Sequence, residues 1–131
     1  MKKLLVFLVF TTAAFIPQCF AQNSTNLQTS PLLTDYYQLK DALVKSNSNE
    51  TMLNAAAFLK TMNEIDKERL NDENRDKLSV DVAVISKTND LKLQREKFAA
   101  LSINMFELAK TVKLSAEPVY QQYCPMKKAY W

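Results

Sequence analysis

The residues of this sequence that could do chemistry lie near its carboxyl end, where Cys124 and Met126 flank Pro125. A thiolate and a thioether are both soft ligands, and this pairing favours a monovalent copper or silver ion over zinc, calcium or magnesium. Side chains two positions apart on an extended strand point the same way, so the two sulfur atoms could converge on one ion. Met62 or Met105 could supply a third ligand. The first hypothesis is therefore a soft-metal site formed by Cys124 and Met126.

The same residues also have an ordinary structural interpretation. Free cysteine often behaves as a small buried hydrophobe and methionine often fills a gap in a core, so Cys124 and Met126 could simply pack. Met62 and Met105 lie on helical apolar stripes, where core packing is the commoner role. Four aromatic residues surround the motif: Tyr120, Tyr123, Tyr130 and Trp131. Such rings favour closure of the core over binding of a small apolar molecule or an oligosaccharide.

The composition argues against most enzyme classes. The chain contains no glycine and no histidine. Without glycine it lacks the usual phosphate-binding loop and dinucleotide fingerprint. Without histidine it lacks the commonest general base and the commonest transition-metal ligand, so hydrolytic zinc sites and Ser-His or Cys-His pairs are not expected. The sequence therefore predicts a protein that is not an enzyme.

The amino-terminal end has the pattern of a secretory signal peptide. Lys2 and Lys3 precede an apolar stretch that closes at Ala21 and is shorter than the ~20 residues that a membrane span needs. We therefore expect cleavage of residues 1–21, which predicts a periplasmic or secreted protein with no membrane span. A lipoprotein would acylate Cys19, but the residues before it lack the small side chain that this processing requires, so lipidation is the less favoured alternative.

Cleavage changes both the charge and the cysteine count. The whole chain has 17 basic and 14 acidic residues, and the loss of Lys2 and Lys3 leaves the mature chain close to neutral. No clustered basic face is visible, so nucleic-acid binding is not expected. Cys124 is then an unpaired thiol in an oxidising compartment, and an odd cysteine there requires an explanation.

The mature chain begins with a polar segment and continues as one domain. Residues 22–30 show no apolar period and predict a flexible leader, while residues 31–131 are long enough for a single domain. Ser30 is a good N-cap and the proline after it fits a first helical turn, so the first helix is expected to start here. Its apolar stripe continues to the polar break at 46–49.

Three further helices are predicted. The second, at about residues 50–65, is expected to bury Met52, Ala55, Ala56, Leu59 and Met62. Asn71 is expected to cap the third helix, and residues 88–90 the fourth, whose apolar residues follow a three-four spacing as far as Val112. Because each helix has only one apolar face, the sequence predicts an all-α protein with an up-and-down four-helix bundle.

The segment after Pro118 breaks the helical pattern. Residues 119–123 include the β-branched Val119 and the aromatic Tyr120 and Tyr123, which favours an extended conformation, and no partner strand is visible in the remaining sequence. An unpaired strand would have to lie against the bundle, where its rings could supply apolar contact. We therefore expect an extended aromatic C-terminal tail that is docked on the bundle.

Three strings in the sequence resemble a known family. They are YYQLKDALV at residues 36–44, QREKFAALS at 94–102, and VYQQYCPM at 119–126 with the following Tyr130-Trp131. Together they resemble the exported bacterial helical family catalogued as domain of unknown function 3347, over about residues 32–131. The Tyr-Cys-Pro-Met block and the tryptophan after it are the most specific part of this resemblance.

The resemblance implies a periplasmic helical bundle with a cysteine-containing tail. Members of the family also occur fused to periplasmic adaptors of heavy-metal efflux systems, which implies a role in copper or silver handling. In this sequence the resemblance assigns metal binding only to Cys124 and Met126. Relatives usually continue through Asn-Pro-Tyr-Phe-Gly to a further Met and a second Cys, and many contain histidines. This sequence stops at Trp131, so we expect either a shortened member with a weaker site or a truncated record.

Two functions therefore remain as hypotheses. The first is a non-catalytic periplasmic binding domain that holds monovalent copper or silver through Cys124 and Met126, for sequestration or for transfer to a heavy-metal efflux adaptor. The second is a structural or protein-interaction module of the cell envelope with no metal role, whose tail packs against a partner or pairs Cys124 with a partner's thiol. An enzyme is the third choice, because no nucleophile is paired with a base.

Overall fold

The computed structural model describes residues 30–131, which form four helices and a small hairpin. The helices are Pro31–Val44 (α1), Ser48–Glu64 (α2), Asp72–Ile85 (α3) and Leu91–Thr111 (α4), and the strands are Tyr123–Cys124 (β1) and Ala129–Tyr130 (β2). The prediction of an all-α bundle is confirmed, with a short strand region at the carboxyl end. The predicted signal peptide at 1–21, with Cys19, and the leader up to residue 29 lie outside the described residues.

Each helix begins at a polar side chain that accepts a hydrogen bond from an otherwise free backbone amide. The four N-caps are Ser30, Asn47, Asn71 and Asp90. A cap of this kind stabilises a helix by about 1 kcal/mol, so it fixes where the helix begins. The predicted starts of α1, α3 and α4 are confirmed. Helix α2 begins earlier than predicted, because Asn47 accepts from the backbone amide of Glu50 at 3.1 Å.

Consecutive helices pack against one another along the chain, which gives the predicted up-and-down order. One continuous core lies between them, and its most completely buried residues include Leu39, Phe58, Leu78, Val82, Ile85 and Leu101. Helices α3 and α4 are also linked at the edge of the core, where Lys97 Nζ lies 3.7 Å from Asp81 Oδ1. Among residues 30–131, none of the helices has the length and hydrophobicity that a membrane crossing requires.

The buried face of α2 differs from the predicted one. Its buried residues are Thr51, Ala55, Phe58 and Met62. The prediction is confirmed for Ala55 and Met62, and the half-buried Leu59 also packs against the core. It is wrong for Ala56, which is exposed, and Met52 is only half-buried. The observed spacing of four, three and four still follows one helical face. Burial of Thr51 is tolerated because its hydroxyl donates a hydrogen bond to the Asn47 carbonyl at 2.8 Å.

The tail folds back on itself as a β-hairpin. Strand β1 pairs antiparallel with β2, with Cys124 opposite Ala129. The ladder is extended by Gln122 and Trp131, whose backbones exchange hydrogen bonds of 2.8 and 3.0 Å. The prediction that no partner strand exists is therefore wrong. A short loop at 125–128 is enough to reverse the chain, so the few residues after the motif can serve as the partner strand.

The hairpin is attached to the bundle, as predicted for the tail. Strand β2 contacts α4, and Val119 packs against the main core. The connection between α4 and the hairpin is held in place by Leu114, which is buried and whose carbonyl accepts a hydrogen bond from the Ser30 amide at 2.7 Å. This bond joins the start of α1 to the segment that follows α4.

The carboxyl-terminal hairpin as a candidate metal site

The two predicted metal ligands lie on the hairpin, but in different parts of it. Cys124 is the last residue of β1, whereas Met126 lies in the turn at 125–128. Within this turn Lys128 has a φ of 50°, which places it in the left-handed region. Met126 does not belong to a strand, so the alternation of side chains along a strand cannot make its sulfur atom point the same way as that of Cys124. The prediction of convergence from strand spacing is therefore wrong. Convergence of the two sulfur atoms depends instead on the conformation of the turn.

Both sulfur-bearing side chains lie outside the main core. Cys124 is half-buried and is a free thiol, and the side chain of Met126 is 90% exposed. The alternative in which Met126 fills a gap in the core is therefore wrong. A methionine in this position is accessible both to a metal ion and to another protein.

The two methionines considered as a third ligand are core residues. Met62 and Met105 are 1% and 3% exposed, and both belong to the main hydrophobic cluster. The packing interpretation of these two residues is confirmed. Within residues 30–131, no three Cys, Asp or Glu side chains are grouped in a way that suits a metal ion.

The charges of the tail favour soft ligands over hard ones. Residues 118–131 contain Lys127 and Lys128 but no Asp or Glu. Calcium and magnesium require several oxygen ligands, usually from carboxylates, and the hairpin supplies no acidic side chain for this purpose. The candidate ligands that remain on the hairpin are the sulfur atoms of Cys124 and Met126, and sulfur ligands are of the type that soft monovalent ions prefer.

The aromatic side chains of the tail remain largely at the surface. Exposed rings belong to Tyr120, Tyr123, Tyr130 and Trp131. Two of them pack on each other across the strand pair, with the ring centroids of Tyr123 and Tyr130 4.8 Å apart. The prediction that these rings close the core of the bundle is wrong. All four rings lie instead at the exposed surface of the tail.

Tyr36 joins α1 to α4 below this surface. Its hydroxyl donates a hydrogen bond to Ser102 Oγ at 2.9 Å, and Ser102 Oγ donates to the Phe98 carbonyl at 2.7 Å. The rings of Tyr36 and Phe98 are stacked with centroids 5.1 Å apart. Burial raises the pKa of the Tyr36 phenol, and the hydrogen bond with Ser102 opposes this effect only in part.

We expect Tyr36→Phe to lower the free energy of unfolding by about 1 kcal/mol at neutral pH, because Ser102 loses a hydrogen-bond partner. The folded-state pKa of Tyr36 lies above the unfolded value of about 10, so the native protein keeps the phenolic proton after the unfolded chain has lost it. The Tyr36 hydroxyl therefore makes its full contribution to the free energy of unfolding below about pH 10, and this contribution decreases as the pH rises further.

Urea unfolding of the wild type and of Tyr36→Phe at several pH values measures this difference. The gap in unfolding free energy between the two proteins should narrow above about pH 10. Tyr120→Phe is the matched control, since Tyr120 is exposed and its substitution should leave the stability unchanged. A gap that stays constant through the alkaline range would contradict the prediction.

The helical part of the chain matches a known family model. Residues 32–117 match the model described as Protein of unknown function (DUF3347). The matched range includes nearly all of the four helices and ends before the hairpin, so Cys124 and Met126 lie outside it. Neither the curated proteins nor the solved structures provide a significant match.

Proposed function

The chain belongs to the family of proteins of unknown function DUF3347, and for this member we propose a non-catalytic binding domain of the periplasm that holds monovalent copper or silver through Cys124 and Met126. The observation that carries the proposal is the position of both sulfur-bearing side chains on a hairpin outside the core. Thiolate and thioether are soft ligands and match the preference of these ions. The bundle then serves as the base that holds the hairpin.

The local backbone supports binding of one ion by both residues. Their Cα atoms are separated by two peptide units, which limits the distance between them to about 7 Å. Pro125 fixes its own φ angle and restricts the backbone of Cys124, so less conformational freedom is lost when an ion binds. The pair is therefore close and partly preorganised by the chain itself.

The exposure of the pair supports transfer of the ion as well as storage. Because Met126 is largely exposed, an ion bound to it keeps open positions that ligands from a second protein can occupy. A heavy-metal efflux adaptor or another envelope protein is the proposed recipient. Burial of the same residues would have favoured permanent retention.

Titration of monovalent copper into the reduced mature chain, in competition with a chromophoric chelator, measures the affinity. We expect Cys124→Ser to weaken binding by about a hundredfold or more, because the only thiolate is lost. Met126→Leu should weaken binding by about tenfold, because it keeps the size of the side chain but removes the thioether.

Met52→Leu is the matched control for the methionine substitution. Met52 is half-buried on α2, away from the hairpin, and its substitution should leave the copper affinity unchanged. Zinc should bind weakly to all four proteins, because the hairpin offers at most one thiolate, no histidine and no acidic side chain. Equal, weak copper binding by the wild type and by Cys124→Ser would remove the metal proposal.

A protein-interaction role is the second candidate, and the exposed apolar surface of the hairpin favours it. Tyr120 is 79% exposed and lies near the exposed Tyr123 and Met126 in the chain, which is typical of a surface that another protein covers. In this case Cys124 would pair with a partner's thiol. Non-reducing electrophoresis of a periplasmic extract separates the two functions: a mixed disulfide that reductant removes favours interaction, whereas a monomer with a reactive thiol argues against this pairing.

A further inference from the structure

A groove between α1, α4 and the tail has the composition of a small-molecule site. Its volume is about 260 Å³. The aromatic and apolar side chains that line it include Tyr37, Met105, Phe106, Tyr120 and Trp131. Ligand sites are typically concave and apolar with a few placed polar groups, and a groove of this size suits a molecule with one ring.

The charge of the groove selects among such molecules. Lys40 lines it, and no Asp or Glu does. The Lys40 ammonium lies over the Tyr37 ring, 5.2 Å from its centroid. Its ion pair with Asp41, at 3.5 Å, is solvent-exposed and therefore weak. The ammonium is thus available to an anion that enters the groove.

The tail supplies further polar groups on the opposite side. Gln121 and Gln122 line the groove, and their side-chain amides can donate hydrogen bonds to a carboxylate. The backbone of Gln122 is fixed by its two hydrogen bonds with Trp131, so the hairpin holds this wall in place. The hydroxyl of Ser102 is already engaged, since it accepts from Tyr36 and donates to Phe98.

We propose that this groove binds a small aromatic carboxylate. The ring of the ligand packs on the exposed rings of Tyr37 and Trp131, and its carboxylate pairs with the Lys40 ammonium. A cationic ligand would be repelled by Lys40, and a neutral apolar ligand would gain nothing from its charge. Neither Cys124 nor Met126 lines the groove, so the inference does not rest on the metal proposal.

Fluorescence provides a direct test, because Trp131 is the single tryptophan of the chain and lines the groove. Phenylacetate added to the whole reduced protein should change the Trp131 emission saturably, in about the millimolar range expected for a ligand of this size. Phenylacetamide keeps the ring without the charge, and acetate keeps the charge without the ring. Both should bind at least about tenfold more weakly than phenylacetate.

Two lysine variants test whether phenylacetate binds in this groove. Lys40→Met should weaken phenylacetate binding by about tenfold, because the charge partner of the carboxylate is lost. Lys60→Met is the matched control, since Lys60 is an exposed lysine of α2 outside the groove. Circular dichroism of each variant establishes that the bundle is folded.

Three results would overturn the proposal. The first is the absence of any saturable change in Trp131 emission with phenylacetate. The second is equal binding of phenylacetamide, which would show that the charge has no role. The third is unchanged binding by a folded Lys40→Met, which would place the ligand elsewhere.

Discussion

Phe58→Ala is expected to lower the free energy of unfolding by about 3–5 kcal/mol. Phe58 has no exposed surface and belongs to the continuous core that all four helices build. Its removal loses the transfer free energy of a large apolar side chain and leaves a cavity that the neighbouring helices fill only partly. For a domain whose total stability is about 5–15 kcal/mol, a loss of this size is a large fraction of the whole.

Equilibrium unfolding in urea, followed by helical circular dichroism, measures the effect of Phe58→Ala. Leu53→Ala is the matched control, because Leu53 lies on the same helix and is 71% exposed. It should change the unfolding free energy by less than about 0.5 kcal/mol. A loss of less than about 1 kcal/mol for Phe58→Ala would contradict the placement of this ring at the centre of the core.

The helices of this protein could be predicted because their signals are local. A cap such as Ser30 or Asp90 acts within three residues of its own position, so the sequence contains both the donor and the acceptor of the contact. The buried face of α2 is a weaker signal. The alanines at 55–57 fit several orientations of the helix, and only packing against α1 and α3 selects the face that buries Phe58.

The hairpin could not be predicted, for a different reason. Strand β2 consists of Ala129 and Tyr130, and a two-residue segment shows no alternation that the sequence pattern could reveal. The reversal of the chain also requires Lys128 to adopt a positive φ, which a residue other than glycine, asparagine or aspartate seldom does. Strand β2 also contacts α4, which is remote in sequence.

The same distinction applies to the candidate sites. The chemistry of Cys124 and Met126 is visible from their residue types, but the turn that relates them is not. The aromatic carboxylate groove is not visible at all from the sequence, because its walls come from α1, α4 and the tail. Lys40 appears in the sequence as an ordinary surface lysine, and it becomes a candidate ligand-binding residue only when the fold brings Trp131 to the same groove.

Arg75→Met is expected to lower the free energy of unfolding by about 2–4 kcal/mol. The guanidinium of Arg75 donates to the carbonyls of Met62 and Ile65 at the end of α2, and to that of Leu70 in the following loop. The last carbonyls of a helix have no partner within the helix, so Arg75 satisfies acceptors that would otherwise need water. Each hydrogen bond from a charged donor contributes about 1.5–3 kcal/mol to the free energy of unfolding. The site is partly exposed, so water can replace Arg75 at some of these carbonyls, and the expected loss is smaller than the sum of the three bonds.

Arg69→Met is the matched control for this effect. Arg69 lies in the same loop and is exposed, so its substitution should change the unfolding free energy by less than about 0.5 kcal/mol. The hairpin contacts α4 rather than the end of α2, so folded Arg75→Met should keep the copper affinity and the phenylacetate affinity of the wild type. An Arg75→Met protein as stable as the wild type would contradict the role of the guanidinium. If folded Arg75→Met instead binds copper or phenylacetate more weakly than the wild type, the end of α2 and the hairpin are energetically coupled through the bundle that holds them.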